Sequence, residues 1–361
     1  MTVSDDFTSL TGPYRGELLA HCYRMLGSAD EAEDLVQETY LRAWRAYGQF
    51  EGRSSVRTWL YRIASNACLT AIQRRSRRPL PSGLSAPDGD AGAARAAAPD
   101  TPWLQPLPDV LLGRSPGDPA AVAVSRAGTR LAFVAALQYL SARQRAVLIL
   151  RDVLEWPAAQ VADLLGLTPA AVNSALRRAR AQLAHAQRAR ALPAEDDVAE
   201  PPEPARRALL DRFAAAFEGA DVRALAALLR EDIVLEMPPL AAWFAGREAS
   251  AGFLAANVLQ SPGRFRLVAT AANGQPAFAV YRCGADGVFR AYGLQVLAVT
   301  ATGIARIVVF LDAELFRTFR LPPVLADGAG ADRAGTGRLG TGRLGTGRLG
   351  TGRLGTGRPA C

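Results

Sequence analysis

One segment carries polar side chains of the types that contact DNA. It reads LLGLTPAAVNSALRRARAQLA and covers residues 164–184. Thr168 can cap a helix through its hydroxyl, and Pro169 fits the first helical position, where no backbone N–H is needed. Apolar residues then recur at steps of three and four, so they share one face. The opposite face carries no acid; it consists of Asn173, Ser174, Arg177 and Arg180. Guanidinium and amide groups bind phosphates and base edges, so this face predicts an anionic partner.

A second, shorter helix is predicted just before this one. WPAAQVADLLGL favours a helix from about Pro157 to Leu165, and Gly166 permits a tight turn after it. Helix, glycine turn and helix form the helix-turn-helix pattern, whose second helix enters the major groove of DNA. Residues 120–191 hold ten arginines and three acidic residues, a net charge of +7 that suits phosphate. An ordinary helical hairpin is the alternative interpretation of the pattern.

The first 78 residues are predicted to be helical, and one of these helices has an acidic outer face. Ser28 and Glu31 have the spacing of a capping box that begins this helix. Asp34 and Glu38 stand one turn apart on its outside. Like charges at that spacing repel each other, so the pair has a cost unless a basic partner binds it. The alternative is a solvated face on which Arg42 relieves Glu38.

The next predicted helix combines polar and aromatic side chains. It follows Ser55 and reads VRTWLYRIASNACLTAIQRRSRR. A polar stripe runs along it, made of Arg62, Asn66, Thr70, Gln73 and Arg77, with Trp59 and Tyr61 near its start. Arginine and amide groups beside aromatic rings suit a nucleic-acid strand whose bases are stacked or held in pockets. The alternative for Trp59 is an ordinary core residue.

The rest of the chain divides into linkers, a mixed domain and a repeat. Residues 79–119 and 192–204 are rich in proline, alanine and acidic residues and predict linkers, with one apolar island, PWLQPLPDVLL, that we expect to dock. Between 205 and 322, two amphipathic helices precede strand-like runs separated by turn signals, which predicts an α+β cone with a curved sheet. From 323 to 361 a GTGRL repeat predicts a disordered tail.

Composition limits the function classes. A chain of 361 residues suits two or three domains, and a net charge of +8 favours a polyanionic partner. The four cysteines stand far apart without metal-ligand spacing, so we expect no metal, no cofactor and a reducing cytoplasm. No apolar run reaches eighteen residues and no signal region begins the chain, so we expect no association with a membrane.

The order of these segments resembles that of bacterial RNA polymerase sigma factors of the extracytoplasmic-function class. The resemblance rests on DEAEDLVQETYLRAWRAY, RTWLYRIASNACLTAIQRRSRR and LSARQRAVLILRDVLEWPAAQVADLLGLTPAAVNSALRRARAQL, within residues 14–78 and 120–186. The mixed domain at residues 205–322 resembles a SnoaL-like domain, and its last residues, FLDAELFRTFRLP, resemble the end of such a domain. The implied fold class is multidomain: two all-α sigma domains, the second a helix-turn-helix, then an α+β cone and a disordered tail. The implied divisions are 1–78 (region 2), 79–119 (linker), 120–191 (region 4), 192–204 (linker), 205–322 (SnoaL-like domain) and 323–361 (tail).

The resemblance implies a role for each polar surface. Promoter DNA and core RNA polymerase are the implied partners, the latter through its β′ clamp helices and β flap. The residues matching the clamp-helix surface are Asp34, Gln37 and Glu38. Those matching the part that opens the minus-ten element and holds a flipped base are Arg57, Trp59, Arg62, Asn66, Gln73 and Arg74. Those matching the helix that reads the minus-35 element are Thr168, Ala170, Asn173, Ser174, Arg177, Arg178 and Arg180. Many relatives have a lysine and an arginine where Asn173 and Ala175 stand, so a promoter sequence cannot be carried over.

Two other functions compete with this interpretation. One is a helix-turn-helix regulator with a ligand-binding cone, which would need no acidic ridge in its N-terminal part. The other is an enzyme, because some SnoaL-like cones use an acid–base pair. The cone contains no histidine, and we expect its candidate acids at the surface: Asp232, Glu236, Asp286 and Asp312. We therefore expect no catalytic residue and a cone that regulates in cis, with a pocket for a small apolar ligand lined by Trp243, Phe244, Phe253 and Tyr292.

Overall fold

The computed structural model describes residues 3–73, 77–89, 98, 100–112, 128–189 and 200–325. Several expectations concern residues outside these ranges: the role of Arg74, the start of the predicted region 4 at 120–127, most of the second linker, and the repeat tail from 326 onward. Within the described ranges the predicted fold class is confirmed, with helices in the N-terminal half and a sheet in the C-terminal part.

Four helices make up the first part. They are α1 (Val3–Thr11), α2 (Arg15–Leu26), α3 (Ala29–Ala46) and α4 (Val56–Ile72). Gly27 ends α2 in the left-handed region at φ 73°. The backbone therefore favours glycine, and a Cβ there would also lie 2.8 Å from Leu104 Cδ1, so the Leu104 side chain would have to shift. Ser28 then caps α3, its hydroxyl accepting from the Glu31 N–H at 3.3 Å.

The helix-turn-helix forms as predicted. Its helices are α5 (Leu131–Leu137), α6 (Ala142–Leu148, continued by a π-helical turn over Ile149–Val153), α7 (Ala158–Leu165) and α8 (Pro169–Ala189). Gly166 makes the left-handed turn at φ 64°. Thr168 caps α8, its hydroxyl accepting from the Ala171 N–H at 3.2 Å. These local contacts set the direction of α8 relative to α7.

The cone is a six-stranded sheet with four helices. Its helices are α9 (Glu203–Glu218), α10 (Val222–Ala226), α11 (Arg247–Asn257) and α12 (Leu315–Thr318). Its strands are β1 (Leu229–Glu236), β2 (Trp243–Ala245), β3 (Phe265–Ala272), β4 (Gln275–Cys283), β5 (Phe289–Thr300) and β6 (Gly303–Phe310). The strand order is β2-β1-β6-β5-β4-β3, and only β1 pairs with β6 in parallel among these strands.

One expectation for the cone is wrong, and two of its elements were not predicted. The second of the two amphipathic helices expected after residue 205, in DVRALAALLRED, ends at Ala226, and the last four residues of that segment belong to β1. The edge strand β2 and helix α11 had no counterpart in the sequence analysis. Periodicity could not locate this boundary, because Leu229 is the only buried residue among the first four of β1, and Glu231 and Asp232 are both exposed, so these four lack the alternation of a half-exposed strand.

Both faces of the sheet are covered. The inner face packs against the cone's own helices: the Phe278 ring on β4 stacks on the Phe213 ring of α9, with centroids 5.7 Å apart. The outer face contributes Tyr281 and Phe310 to a single apolar core that also contains residues of α2, α4 and α6. The apolar island 102–112 lies in that shared core, since Leu104 and Leu107 are fully buried. The two helical parts and the cone are therefore packed as neighbours.

Candidate nucleic-acid and protein interfaces

The outer face of α8 is open to solvent. Its apolar stripe is in the core, with Val172 and Ala179 fully buried. Six of the seven residues predicted to read the minus-35 element are exposed and Ser174 is half-buried; the six are Thr168, Ala170, Asn173, Arg177, Arg178 and Arg180. Asp152 binds Arg180 through two contacts of 2.6 and 2.9 Å. Arg177 and Arg178 make no ion pair within the described part of the chain, which leaves their charge available.

The surface of α4 is divided between exposed and internally bound residues. Arg62, Asn66 and Gln73 are exposed, as predicted. Arg57 is instead half-buried, bound to the Glu17 carboxylate at 2.8–3.0 Å. Trp59 is also half-buried and lies 4.7 Å from the Phe50 ring, so it is neither a full core residue nor a free aromatic surface.

The acidic face of α3 carries exposed apolar side chains that the sequence analysis missed. Asp34 and Gln37 are exposed, and Glu38 pairs with Arg42 at 2.6 Å with both side chains about half exposed. Leu41 and Trp44 continue this surface with exposures of 58% and 42%. Their signal was present in the sequence as large apolar residues lying off the core stripe of α3. Acidic and apolar groups on one accessible helix face are typical of a protein-binding surface.

The two helical parts touch directly. The Gln160 amide on α7 donates to the Thr58 hydroxyl on α4 at 3.0 Å. The rings of Tyr61 on α4 and Trp156, just before α7, have centroids 5.0 Å apart. Arg57 lies over the same Trp156 ring at 5.4 Å. The first residues of α4 are therefore covered by the helix-turn-helix.

Asn273 joins the cone to three other segments of the chain at one point. Its amide nitrogen donates to the Tyr23 hydroxyl and to the Thr129 carbonyl, both at 2.7 Å. Its side-chain oxygen accepts from the Leu107 N–H at 2.9 Å, and its own N–H donates to the Leu107 carbonyl at 2.9 Å. The residue is fully buried at the tip of the β3–β4 hairpin, in the left-handed region at φ 59°. Asn-Gly is the preferred dipeptide of such a turn. We call this set of contacts the Asn273 clasp.

The first linker is also bound to the cone. The Ser82 N–H donates to one oxygen of Glu236 at 2.9 Å, and Arg306 donates to the other at 2.8 Å. The Trp243 indole donates to the Ser85 carbonyl at 3.0 Å. Backbone groups of the linker thus find partners on the outer face and edge of the sheet, which satisfies polar groups that would otherwise be buried alone.

The expected surface position is wrong for one acid of the cone. Glu236 is fully buried in its ion pair with Arg306. The other three acids are exposed: Asp232 pairs with Arg230, Asp286 with Arg290, and Asp312 accepts from the Glu314 N–H. The arginine partner of Asp286 lowers the pKa of that carboxyl.

The residues expected to line a ligand pocket do not face one space. Phe244 and Phe253 stack at 4.5 Å in the inner core, and Tyr292 joins the same cluster beside Phe265. Trp243 points to the other side of β2, toward the linker, because neighbouring strand residues face opposite ways. These inner aromatic residues contact one another within the cone.

Two general properties concern the described residues as a whole. None of the helices described is both long and apolar enough to cross a membrane. In the same ranges, no three His, Cys, Asp or Glu side chains are grouped so that they could hold a metal ion.

The architecture and these surfaces match known proteins over most of the chain. Three family models match: Sigma-70 region 2 at residues 10–78, Sigma-70 region 4 at 130–183, and a SnoaL-like domain at 210–310. The chain is 49% identical to the ECF RNA polymerase sigma factor SigG of Mycobacterium tuberculosis over 321 residues, which cover 89% of this chain and 85% of the relative. It therefore belongs to the extracytoplasmic-function sigma factors, which are transcription-initiation proteins.

Two further similarities concern a second member of this family. The chain is 29% identical to SigJ of the same organism over 219 residues, which cover 61% of each chain. The crystal structure of M. tuberculosis SigJ superimposes with a TM-score of 0.55 at 20% identity, covering 88% of this chain and all of that one. The likeness to that structure shows a shared fold for the sigma domains and the cone.

Proposed function

We propose that this sigma factor is regulated in cis: the cone holds regions 2 and 4 together in a closed form that opens before promoter recognition. The observation that carries this proposal is the direct packing of α4 on α7, with the Asn273 clasp bound to both regions and to the linker between them. A cone that only added an independent function would not need buried hydrogen bonds to three other parts of the chain.

The geometry of a promoter supports the need for opening. The minus-ten and minus-35 elements lie about 25 base pairs apart, which is roughly 85 Å along B-DNA. Regions 2 and 4 here are in hydrogen-bond contact, with 3.0 Å between the amide nitrogen of Gln160 and the hydroxyl of Thr58. One chain cannot bind both elements in this arrangement. Region 4 must separate from region 2, and the contacts that oppose separation are those of the shared core and the clasp.

The proposal assigns the surfaces as the family resemblance implies. Region 2 spans 1–78, region 4 120–191 and the cone 205–322, with linkers between them and the tail from 323. The face of α3 with Asp34, Gln37 and Glu38 binds the β′ clamp helices, and region 4 contacts the β flap. The minus-ten element is bound by Arg57, Trp59, Arg62, Asn66, Gln73 and Arg74. The minus-35 element is read by Thr168, Ala170, Asn173, Ser174, Arg177, Arg178 and Arg180. We place the protein in the cytoplasm with the polymerase.

The closed form affects the two DNA surfaces differently. The face of α8 is exposed, so the minus-35 residues are accessible before opening. Arg57 and the Tyr61 ring behind it are covered by Trp156 of region 4. We therefore expect the closed form to block melting of the minus-ten element more than binding of the minus-35 element.

The cone acts in this proposal without catalysis. Its buried acid, Glu236, has both carboxylate oxygens bound within the chain, one by Arg306 and the other by the backbone N–H of Ser82. A small apolar ligand in the cone would have to separate the stacked rings of Phe244 and Phe253. Such a ligand would act on transcription by changing the sheet face on which regions 2 and 4 rest.

Asn273→Gly tests the clasp, because glycine keeps the left-handed backbone and removes only the side chain. The change removes three buried hydrogen bonds, each worth about 0.5–1.5 kcal/mol, while the Tyr23 hydroxyl still donates to the Gln105 carbonyl at 2.8 Å. We expect the population of the closed form to fall at least tenfold and transcription from promoter DNA to rise. Electron spin resonance distances between labels at Glu51 and Asp163, with Cys283 and Cys361 replaced by serine, measure the closed fraction. Single-round transcription with core polymerase measures the output.

Asn257→Ala is the matched control for the clasp variant. Its side-chain amide donates to the Phe253 carbonyl of its own helix at 3.1 Å, away from regions 2 and 4. We expect wild-type distances and transcription from it. If Asn273→Gly separates the labels while transcription stays at the wild-type level, the cone does not regulate in cis.

Arg177→Ala tests the reading helix. We expect promoter binding by the holoenzyme to weaken by about 1–3 kcal/mol if Arg177 contacts a base, with relaxed preference at one position. If it contacts only phosphate, the loss is uniform across sequences and the salt dependence is shallower. Quantitative footprinting at several salt concentrations separates the two cases. Unchanged binding to every DNA would exclude α8 as the reading helix.

A further inference from the structure

A cavity between regions 2 and 4 is lined by three arginines. Its volume is about 200 Å³, well above the ~15 Å³ that a single water molecule requires. Region 2 contributes Arg77 and Arg78, and region 4 contributes Arg145. The remaining lining is polar or apolar, with one acid: Leu26, Glu31, Ile72, Gln138, Leu140, Ser141 and Ala142.

The charges around the cavity do not cancel. Glu31 accepts from Arg78 at 2.6 Å, so one positive charge is compensated. Arg145 is bonded only to neutral oxygens, namely the carbonyls of Met25 and Leu140 and the side chain of Gln138. Arg77 lies 4.2 Å above the ring of Tyr139. Arg77 and Arg145 therefore line the cavity without an ion pair to any carboxylate among the lining residues.

Arg145 is the residue that points to a ligand. Only 4% of it is exposed, and its Nε has no hydrogen-bond partner in the described structure. Buried polar groups are almost always bonded, so a cavity-lining guanidinium with one unbonded N–H is short of acceptors. Burial lowers the pKa of Arg145 to about 10, which leaves it charged at neutral pH. A buried charge without a counter-ion is unfavourable unless an anion can enter.

We propose that this cavity binds a phosphate group, either inorganic phosphate or the phosphate of a small metabolite, between Arg77 and Arg145. A tetrahedral oxyanion accepts several charge-assisted hydrogen bonds, which is what guanidinium groups donate best. The bound anion bridges region 2 to region 4 and so stabilises the closed form. This consequence rests on the cis regulation proposed above, whereas the binding site itself does not.

Calorimetric titration of the full chain with inorganic phosphate, and in a second arm with adenosine 5′-monophosphate, tests the site at constant ionic strength. We expect saturable binding of at least one probe with one site per chain. Tighter binding of phosphate indicates the free anion, and tighter binding of the nucleotide indicates a phosphorylated metabolite. Arg77→Gln should weaken the binding at least tenfold. Because Arg77 is exposed, this variant should fold, whereas Arg145→Gln would also remove the buried contacts of Arg145 with Met25, Gln138 and Leu140.

Arg143→Gln is the control of equal charge. Arg143 is exposed on α6, two residues from Arg145, and does not line the cavity. We expect its binding to stay within twofold of the wild type. The proposal is wrong if neither probe gives saturable heat, or if Arg143→Gln loses as much binding as Arg77→Gln. Failure of the proposed cis regulation is detected by a different experiment: Asn273→Gly would separate the two spin labels without changing transcription.

Discussion

The double variant Asp34→Arg with Glu38→Arg is expected to stop co-purifying with core RNA polymerase. Both side chains lie on an accessible face of α3, next to the exposed Leu41 and Trp44. Close charge pairs across an interface contribute about 1.5–7 kcal/mol each, and reversal turns that attraction into repulsion. We therefore expect at least a hundredfold loss of affinity, measured by pull-down and by titration of labelled protein with core enzyme.

The fold should survive this charge reversal. Glu38 is only paired with Arg42, and an exposed pair at this spacing is worth about 0.3–0.5 kcal/mol. Circular dichroism should give a melting temperature close to that of the wild type. Asp211→Arg with Glu248→Arg, at two exposed positions of the cone, is a control with the same change in net charge. Wild-type co-purification of the α3 variant would refute the assigned interface.

Arg306→Leu is expected to lower the free energy of unfolding by about 3–5 kcal/mol, because it leaves the carboxylate of Glu236 buried beside an apolar side chain. Glu236 is fully buried and keeps only the Ser82 N–H as a recorded partner after the change. Urea unfolding of the full chain, followed by circular dichroism, measures the loss.

Two further variants separate the buried charge from other causes. Glu236→Leu combined with Arg306→Leu should recover most of the lost stability, because replacing both members of a buried pair with apolar residues is often neutral or favourable. Arg230→Leu breaks the exposed pair with Asp232 and should cost about 1 kcal/mol or less. If Arg306→Leu costs no more than Arg230→Leu, the buried pair does not stabilise the cone.

Much of the structure could be predicted because its signals are local. The cap of α8 at Thr168 and the left-handed turns at Gly27 and Gly166 depend on residues within one helical turn. The exposed faces of α3, α4 and α8 follow from the apolar stripe on the other side of each helix. For the same reason, three of the six minus-ten residues, Arg62, Asn66 and Gln73, are exposed as expected.

The errors arose where burial depends on a distant partner. Glu236 was predicted to be a surface acid, because no residue near it in the sequence indicates that Arg306, 70 residues away, binds it. The minus-ten role of Arg57 stays a prediction, but its ion pair with Glu17 on another helix was not foreseen. Trp243 and Phe244 are adjacent in a segment that was not recognised as a strand, and therefore their opposite directions could not be foreseen.

By itself, the sequence determined the sigma-factor family, the order of its parts and the helices that carry its polar surfaces, because each depends on short-range periodicity and capping. Tertiary structure alone decided that regions 2 and 4 lie against each other and that the cone covers them. Those contacts join residues far apart in the chain: Tyr23, Leu107 and Thr129 meet at Asn273. The hydrogen bonds of the clasp are favourable only where packing excludes water, and no local pattern in the chain encodes which buried groups will meet.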